Sequence, residues 1–110
     1  MEKIVLKNAE LLQFTYLQNI IYCRGDEHTT NFYLAEGPPL IADKDFAYFE
    51  KTLPKSGFIS PDKGVLVNIT HVTLLHTVWP CYIELSNGER IPMAYFRRKQ
   101  IMHKIQRLQS

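Results

Sequence analysis

Phe58-Ile59-Ser60-Pro61-Asp62-Lys63-Gly64-Val65-Leu66-Val67-Asn68-Ile69-Thr70-His71-Val72 is the stretch on which the reading of this chain turns. It opens on an apolar pair, Phe58-Ile59. Ser60 to Gly64 then breaks it, a run of turn formers that no central strand could tolerate. Val65-Leu66-Val67 resumes as a short buried strand, and Asn68 closes it.

Working outward toward the N-terminus, Leu11 to Arg24 alternates loosely, and Ile20-Ile21-Tyr22-Cys23 reads as a strand entering the core. Gly25-Asp26-Glu27-His28 is a turn. Thr29 to Leu34, β-branched and aromatic, pairs back as a hairpin. Gly37-Pro38-Pro39 is a hard break, and Leu40-Ile41 fits a short edge strand. A short helix follows near residues 44–53. Asp43 can cap it, Phe46, Phe49 and Leu53 share one face, and Pro54 and Gly57 end it.

Toward the C-terminus, Val72 to His76 is a strand, Thr77 to Pro80 a connection, and Cys81 to Leu85 another strand. Ser86-Asn87-Gly88-Glu89 is a hairpin turn, with positive φ expected at both Asn87 and Gly88. Arg90 to Met93 is the returning strand. From about Tyr95 an amphipathic helix carries Ile101, Ile105 and Leu108 on one stripe. Arg97, Arg98, Lys99, Lys104 and Arg107 lie largely off it. The class is mainly β: one domain over 1–110, seven or eight short strands and two short helices.

Composition narrows the function. The 110 residues, 45% hydrophobic and 22% charged, suit a single globular domain. No apolar run approaches the roughly 18 residues of a membrane span. Cys23 and Cys81 lack metal-ligand spacing and read as reduced thiols of a cytoplasmic protein. Charge is polarised along the chain. Residues 1–62 carry six Lys/Arg against nine Asp/Glu, a net −3, and residues 63–110 carry seven against two, a net +5. Such a chain can present a basic face to an acidic polymer, although a solvated basic helix gives the same count.

Catalysis has little support. Ser60, Asp62 and either His28 or His71 are the residue types of a hydrolytic triad, but Ser60 lacks the strained elbow that exposes a nucleophile. His71 and His76, five apart, would face opposite sides of a strand segment. No spacing marks a metal or cofactor site, so no enzyme and no cofactor are expected.

Phe58, Val65-Leu66-Val67 and Asn68 are spaced as in the LytTR DNA-binding domain of bacterial transcriptional regulators, and the chain resembles that family from about Leu11 to Ile105. The short helix before Phe58 and the closing hairpin Glu84 to Pro92 resemble it too. The chain departs from the pattern at Asp62, Lys63 and Gly64, where the family has His-Arg-Ser. It departs again at Ala94-Tyr95-Phe96, where Ser-Arg-Arg is usual and the cations arrive one or two residues late. The resemblance implies elongated antiparallel sheets and loops at one sheet edge that reach the DNA major groove. Carried over by position, it makes His28 and Lys63 groove contacts and Arg97, Arg98 and Lys99 phosphate anchors. Lys63 lacks the bidentate fork that reads guanine. Asn68, behind a buried strand, is expected to bond backbone.

The resemblance further implies a response regulator of a two-component system, acting on double-stranded DNA as two copies on paired repeats. No receiver domain is read in this chain, so it is either an excised domain or a stand-alone regulator. The rival expectation is a scaffold of the same shape that has lost base readout and mediates protein association. Asp62, Gly64, Ala94 and Phe96, each at a usually polar or cationic position, favour it.

Overall fold

Four consecutive residues of one strand, Ile20 to Cys23, are buried, which requires a sheet covered on both faces. In the computed structural model, which describes residues 2–107, that strand is β3 (Ile20–Asp26). It lies at the centre of a five-stranded antiparallel sheet ordered β5-β4-β3-β7-β6. Its partners are β4 (Thr29–Leu34), β5 (Leu40–Ala42), β6 (Phe58–Ile59) and β7 (Val65–Asn68). A two-stranded sheet, β1 (Lys3–Lys7) with β2 (Leu12–Tyr16), covers part of one side. A three-stranded sheet, β8 (Val72–His76), β9 (Tyr82–Leu85) and β10 (Arg90–Pro92), lies on the other. Two helices complete the chain, α1 (Phe46–Thr52) and α2 (Arg98–Arg107). The fold is therefore mainly β and antiparallel, with dimensions of 42 × 30 × 25 Å.

The two faces of the central sheet carry separate cores. Ile21, Tyr22, Val65 and Val67 pack with Ile83, Leu85, Ile91 and Ile101. Ile20, Cys23, Phe32 and Leu66 pack on the opposite face with Leu6, Phe49 and Leu53. A simple strand would alternate faces at every residue. Here the register of β3 against β4 shifts between Ile20 and Tyr22. A bulge of this kind lets neighbouring Ile21 and Tyr22 enter the same core. Burial on both faces also explains why Val65-Leu66-Val67 is continuously apolar. Helix α1 plugs the second core with Phe49, and Leu53 at its C-cap joins it there, each worth about 2–3 kcal/mol of apolar burial.

Several expectations are corrected. The cap of α1 is Asp45, whose Oδ1 accepts from Tyr48 N at 3.0 Å. Asp43 lies two residues ahead of that cap, and its own N–H donates to Lys7 O at 2.8 Å, tying the start of the helical segment to β1. At the closing hairpin only Gly88 has positive φ, +87°. Gly88 N donates to Leu85 O, and Leu85 N to Glu89 O, both at 2.9 Å. The loop is thus a three-residue turn with a glycine bulge. The Asn87 side chain, accepting from Glu89 N at 3.0 Å, supports the turn without leaving the ordinary φ range. His71 sits in a 3-10 turn (Ile69–His71) ahead of β8. The β1–β2 hairpin, registered Lys3↔Tyr16 to Lys7↔Leu12, was not expected as a paired unit. In α2, Ile101 is buried and Ile105 packs against the first core, while Leu108 lies outside the described residues.

Cys23 and Cys81 are free and buried. Burial pushes the Cys23 thiol up to about 12, only partly offset by a hydrogen bond with the Leu66 backbone. No helix among the described residues is long and apolar enough to cross a membrane.

Candidate nucleic-acid interface

Three loops meet at one end of the central sheet because of how its strands run. The β3–β4 turn carries Glu27 and His28, the β6–β7 loop carries Ser60 to Gly64, and the segment from Met93 to Arg97 leads into α2. Gly25 N donates to Gly64 O at 2.9 Å, joining the first loop to the second. Ala94 N donates to Pro61 O at 2.8 Å, joining the second to the third. A shallow depression of about 350 Å³ lies between them, walled by Glu27, Lys63, Gly64 and Arg97.

The β6–β7 loop is shaped by its own side chains. Ser60 Oγ donates to Asp62 O at 2.9 Å, and Asp62 Oδ1 accepts from Lys63 N at 2.8 Å. Gly64 has φ +76°, a left-handed conformation that a serine would hold only under strain. The departure at Gly64 thus belongs to a tighter local turn. Lys63 is left exposed at the tip, and His28 is exposed at the tip of the neighbouring turn, where Glu27 takes φ +51°.

The three cations near the start of α2 are not equivalent. Arg97, in a 3-10 turn (Tyr95–Arg97), is half-buried, and its Nη1 donates to Ser60 O at 3.1 Å and Ser60 Oγ at 3.0 Å. It clamps the β6–β7 loop to the third segment. Arg98 lies over the Tyr95 ring, 3.7 Å from its centroid, and donates to Tyr95 O. Lys99 is exposed. Asp26, Glu27, Glu50 and Asp62 lie at the same end, so this edge is of mixed sign.

Asn68 is buried and bonds backbone as expected. Its Nδ2 donates to Leu17 O at 3.1 Å and Ile20 O at 2.9 Å, while Oδ1 accepts from Thr70 N and Oγ1. Ser60 and His71 are each engaged by groups other than one another. Ser60 is spent on Arg97 and Asp62, and His71 contacts Ser86 Oγ at 2.7 Å and Gln18 O at 2.6 Å.

The β8–β9 connection, which includes Thr77 to Pro80, carries no functional motif in the sequence. It ends at the same side of the molecule, since Met93 N donates to Cys81 O at 3.0 Å. Val78 and Trp79 project from it, Trp79 being 78% exposed. His76 stacks on Tyr82 and contacts Pro80 O at 3.0 Å, bracing the loop. A lone tryptophan in a Pro-bounded connection was the available signal.

The sequence matches the LytTr DNA-binding domain family over residues 12–106, and the chain belongs to that family. Among solved structures, it superposes on the LytTr DNA-binding domain of a protein named as a methyl-accepting/DNA response regulator from Bacillus cereus. The TM-score is 0.77 at 20% identity, with 96% of each chain covered. No curated protein matches the sequence.

Proposed function

We propose that this chain is a bacterial transcriptional regulator that binds double-stranded DNA through the loop-bearing end of its central sheet. The observation that supports the reading is that the three loops bearing His28, Lys63 and Arg97 are stitched together by backbone hydrogen bonds, Gly25 N to Gly64 O and Ala94 N to Pro61 O. His28 and Lys63 supply groove contacts. Arg98 and Lys99 anchor phosphates, and Arg97 divides its role, holding the Ser60 loop in place while adding positive charge. Two copies occupy paired repeats. The input belongs to a two-component system.

The test is a salt series of fluorescence anisotropy with a labelled random duplex, followed by selection of a preferred site. Each phosphate contact adds about one unit to the slope of log affinity against log salt. Arg98→Gln and Lys99→Gln are expected to lower that slope and to weaken every duplex alike, because phosphate contacts carry no sequence information. Lys63→Ala is expected to cost about 1–3 kcal/mol on the preferred site and to relax specificity there. Absence of salt-dependent binding at low ionic strength overturns the reading.

A second reading rests on the exposed aromatic side chains beside the same loops. Phe96 is 80% exposed, and Tyr95 and Trp79 are exposed with it. This composition suits a protein interface more than a phosphate surface. Failure of duplex binding together with saturable association with a protein partner, abolished by Phe96→Ser, would establish it.

A further inference from the structure

A groove of about 440 Å³ runs along the side of the molecule, between the end of α1, the edge strand β6 and α2. Leu53, Phe58 and Ile101 form its floor, and Phe96 stands at its mouth. Its rim is cationic: Lys55, Arg97 and Lys104 face a single carboxylate, Glu50. Among the described residues, none of these three cations is paired with an acid. Arg97 donates to the Ser60 carbonyl and hydroxyl, and Lys104 Nζ donates to Phe58 O at 2.7 Å. Those acceptors are neutral, so they orient the cations without cancelling their charge. Burial is the main cause that lowers the pKa of Lys104, and the neighbouring charges of Arg107 and Lys55 lower it further.

We propose that this groove binds a small aromatic carboxylate, its ring seated between Phe96 and the apolar floor and its carboxylate directed at Lys55 and Lys104. Charge complementarity selects the occupant. An anion relieves the mutual repulsion of the rim, whereas a cation adds to it, and a neutral ring gains only the floor. The volume falls in the range of small-molecule sites and accommodates a bicyclic acid. The inference does not depend on the DNA reading, because the groove lies beside the loop edge and is assayed without nucleic acid.

The experiment is a two-dimensional 1H–15N NMR titration of the full chain with 1-naphthoate, and separately with neutral 1-naphthamide. Saturable shifts centred on Lys55, Phe58, Ile101 and Lys104, with naphthoate binding roughly tenfold tighter than the amide, are expected. Lys104→Gln should remove most of that preference. Lys55→Gln, at an exposed position that holds no part of the fold together, should reduce it severalfold with the spectrum otherwise unchanged. Equal affinity for acid and amide, shifts centred elsewhere, or no saturable shift at millimolar ligand each overturns the proposal.

Discussion

Replacing Asn68 with alanine isolates a residue that lies within the family pattern and yet faces inward. The side chain is 4% exposed and joins three segments through its amide. Its Nδ2 binds the carbonyls of Leu17 and Ile20, and its Oδ1 binds Thr70 twice. Thr70 is exposed, so water replaces those two bonds at little cost. The Leu17 carbonyl keeps the Ile20 N–H as a second partner. The Ile20 bond is fully buried, and losing it costs about 1–3 kcal/mol. The Leu17 bond adds about 1 kcal/mol and the vacated volume about another. The expected loss is therefore about 3–5 kcal/mol, read from urea denaturation with an unchanged m-value. Below the shifted midpoint, duplex affinity and its salt slope should match the parent chain. A loss under about 1 kcal/mol would refute the assignment of Asn68 as a buried node. A reduced salt slope in still-folded protein would place it at the DNA surface.

Gly25→Ala puts a Cβ 2.7 Å from Phe46 Cβ, so α1 must shift, and a destabilisation of about 1–3 kcal/mol is expected by thermal melting. Native Cys23 should resist alkylation at pH 8 and react on unfolding, as read by mass spectrometry of unreduced protein. Because its pKa is raised from 9.0 to about 12, the folded chain holds a proton that the unfolded chain releases over that interval. Its contribution is fully present below pH 9 and is lost as pH rises toward 12, at about 1.4 kcal/mol per pH unit. Cys23→Ala should flatten that slope in alkaline denaturation series. Arg97→Gln should lower both stability and duplex affinity, whereas Lys99→Gln should lower affinity alone.

The β3–β4 and β9–β10 hairpins and the α1 helix were legible because their signals are local. Asn87-Gly88, the β-branched run from Thr29, and the Phe46–Phe49–Leu53 face need no distant partner to be recognised. What escaped depended on tertiary contacts. Asp43 has the chemistry of a cap, but its backbone pairs with Lys7, 36 positions away in sequence, and the helix begins two residues later, where Asp45 takes the role. The β1 strand offers only Ile4-Val5-Leu6 between lysines, too short to announce a partner until β2 lies beside it. At the candidate interface, family spacing assigns His28 and Lys63 to the tips of the β3–β4 and β6–β7 loops. The clamp between Arg97 and Ser60 could not be assigned that way, because a guanidinium's partner 37 residues away leaves no periodic trace.

The sheet's open margins have a consequence for self-association. An unpaired edge strand is a template on which another chain can stack. Here α2 lies alongside β6, and Lys104 occupies the Phe58 carbonyl. At the opposite margin Asn8 Nδ2 occupies the Ile41 carbonyl at 2.9 Å, and β1 bonds the chain just beyond β5. The basic helix is thus also a guard on the sheet: a chain cut ahead of Arg98 would bare Phe58-Ile59 and drift toward polymer.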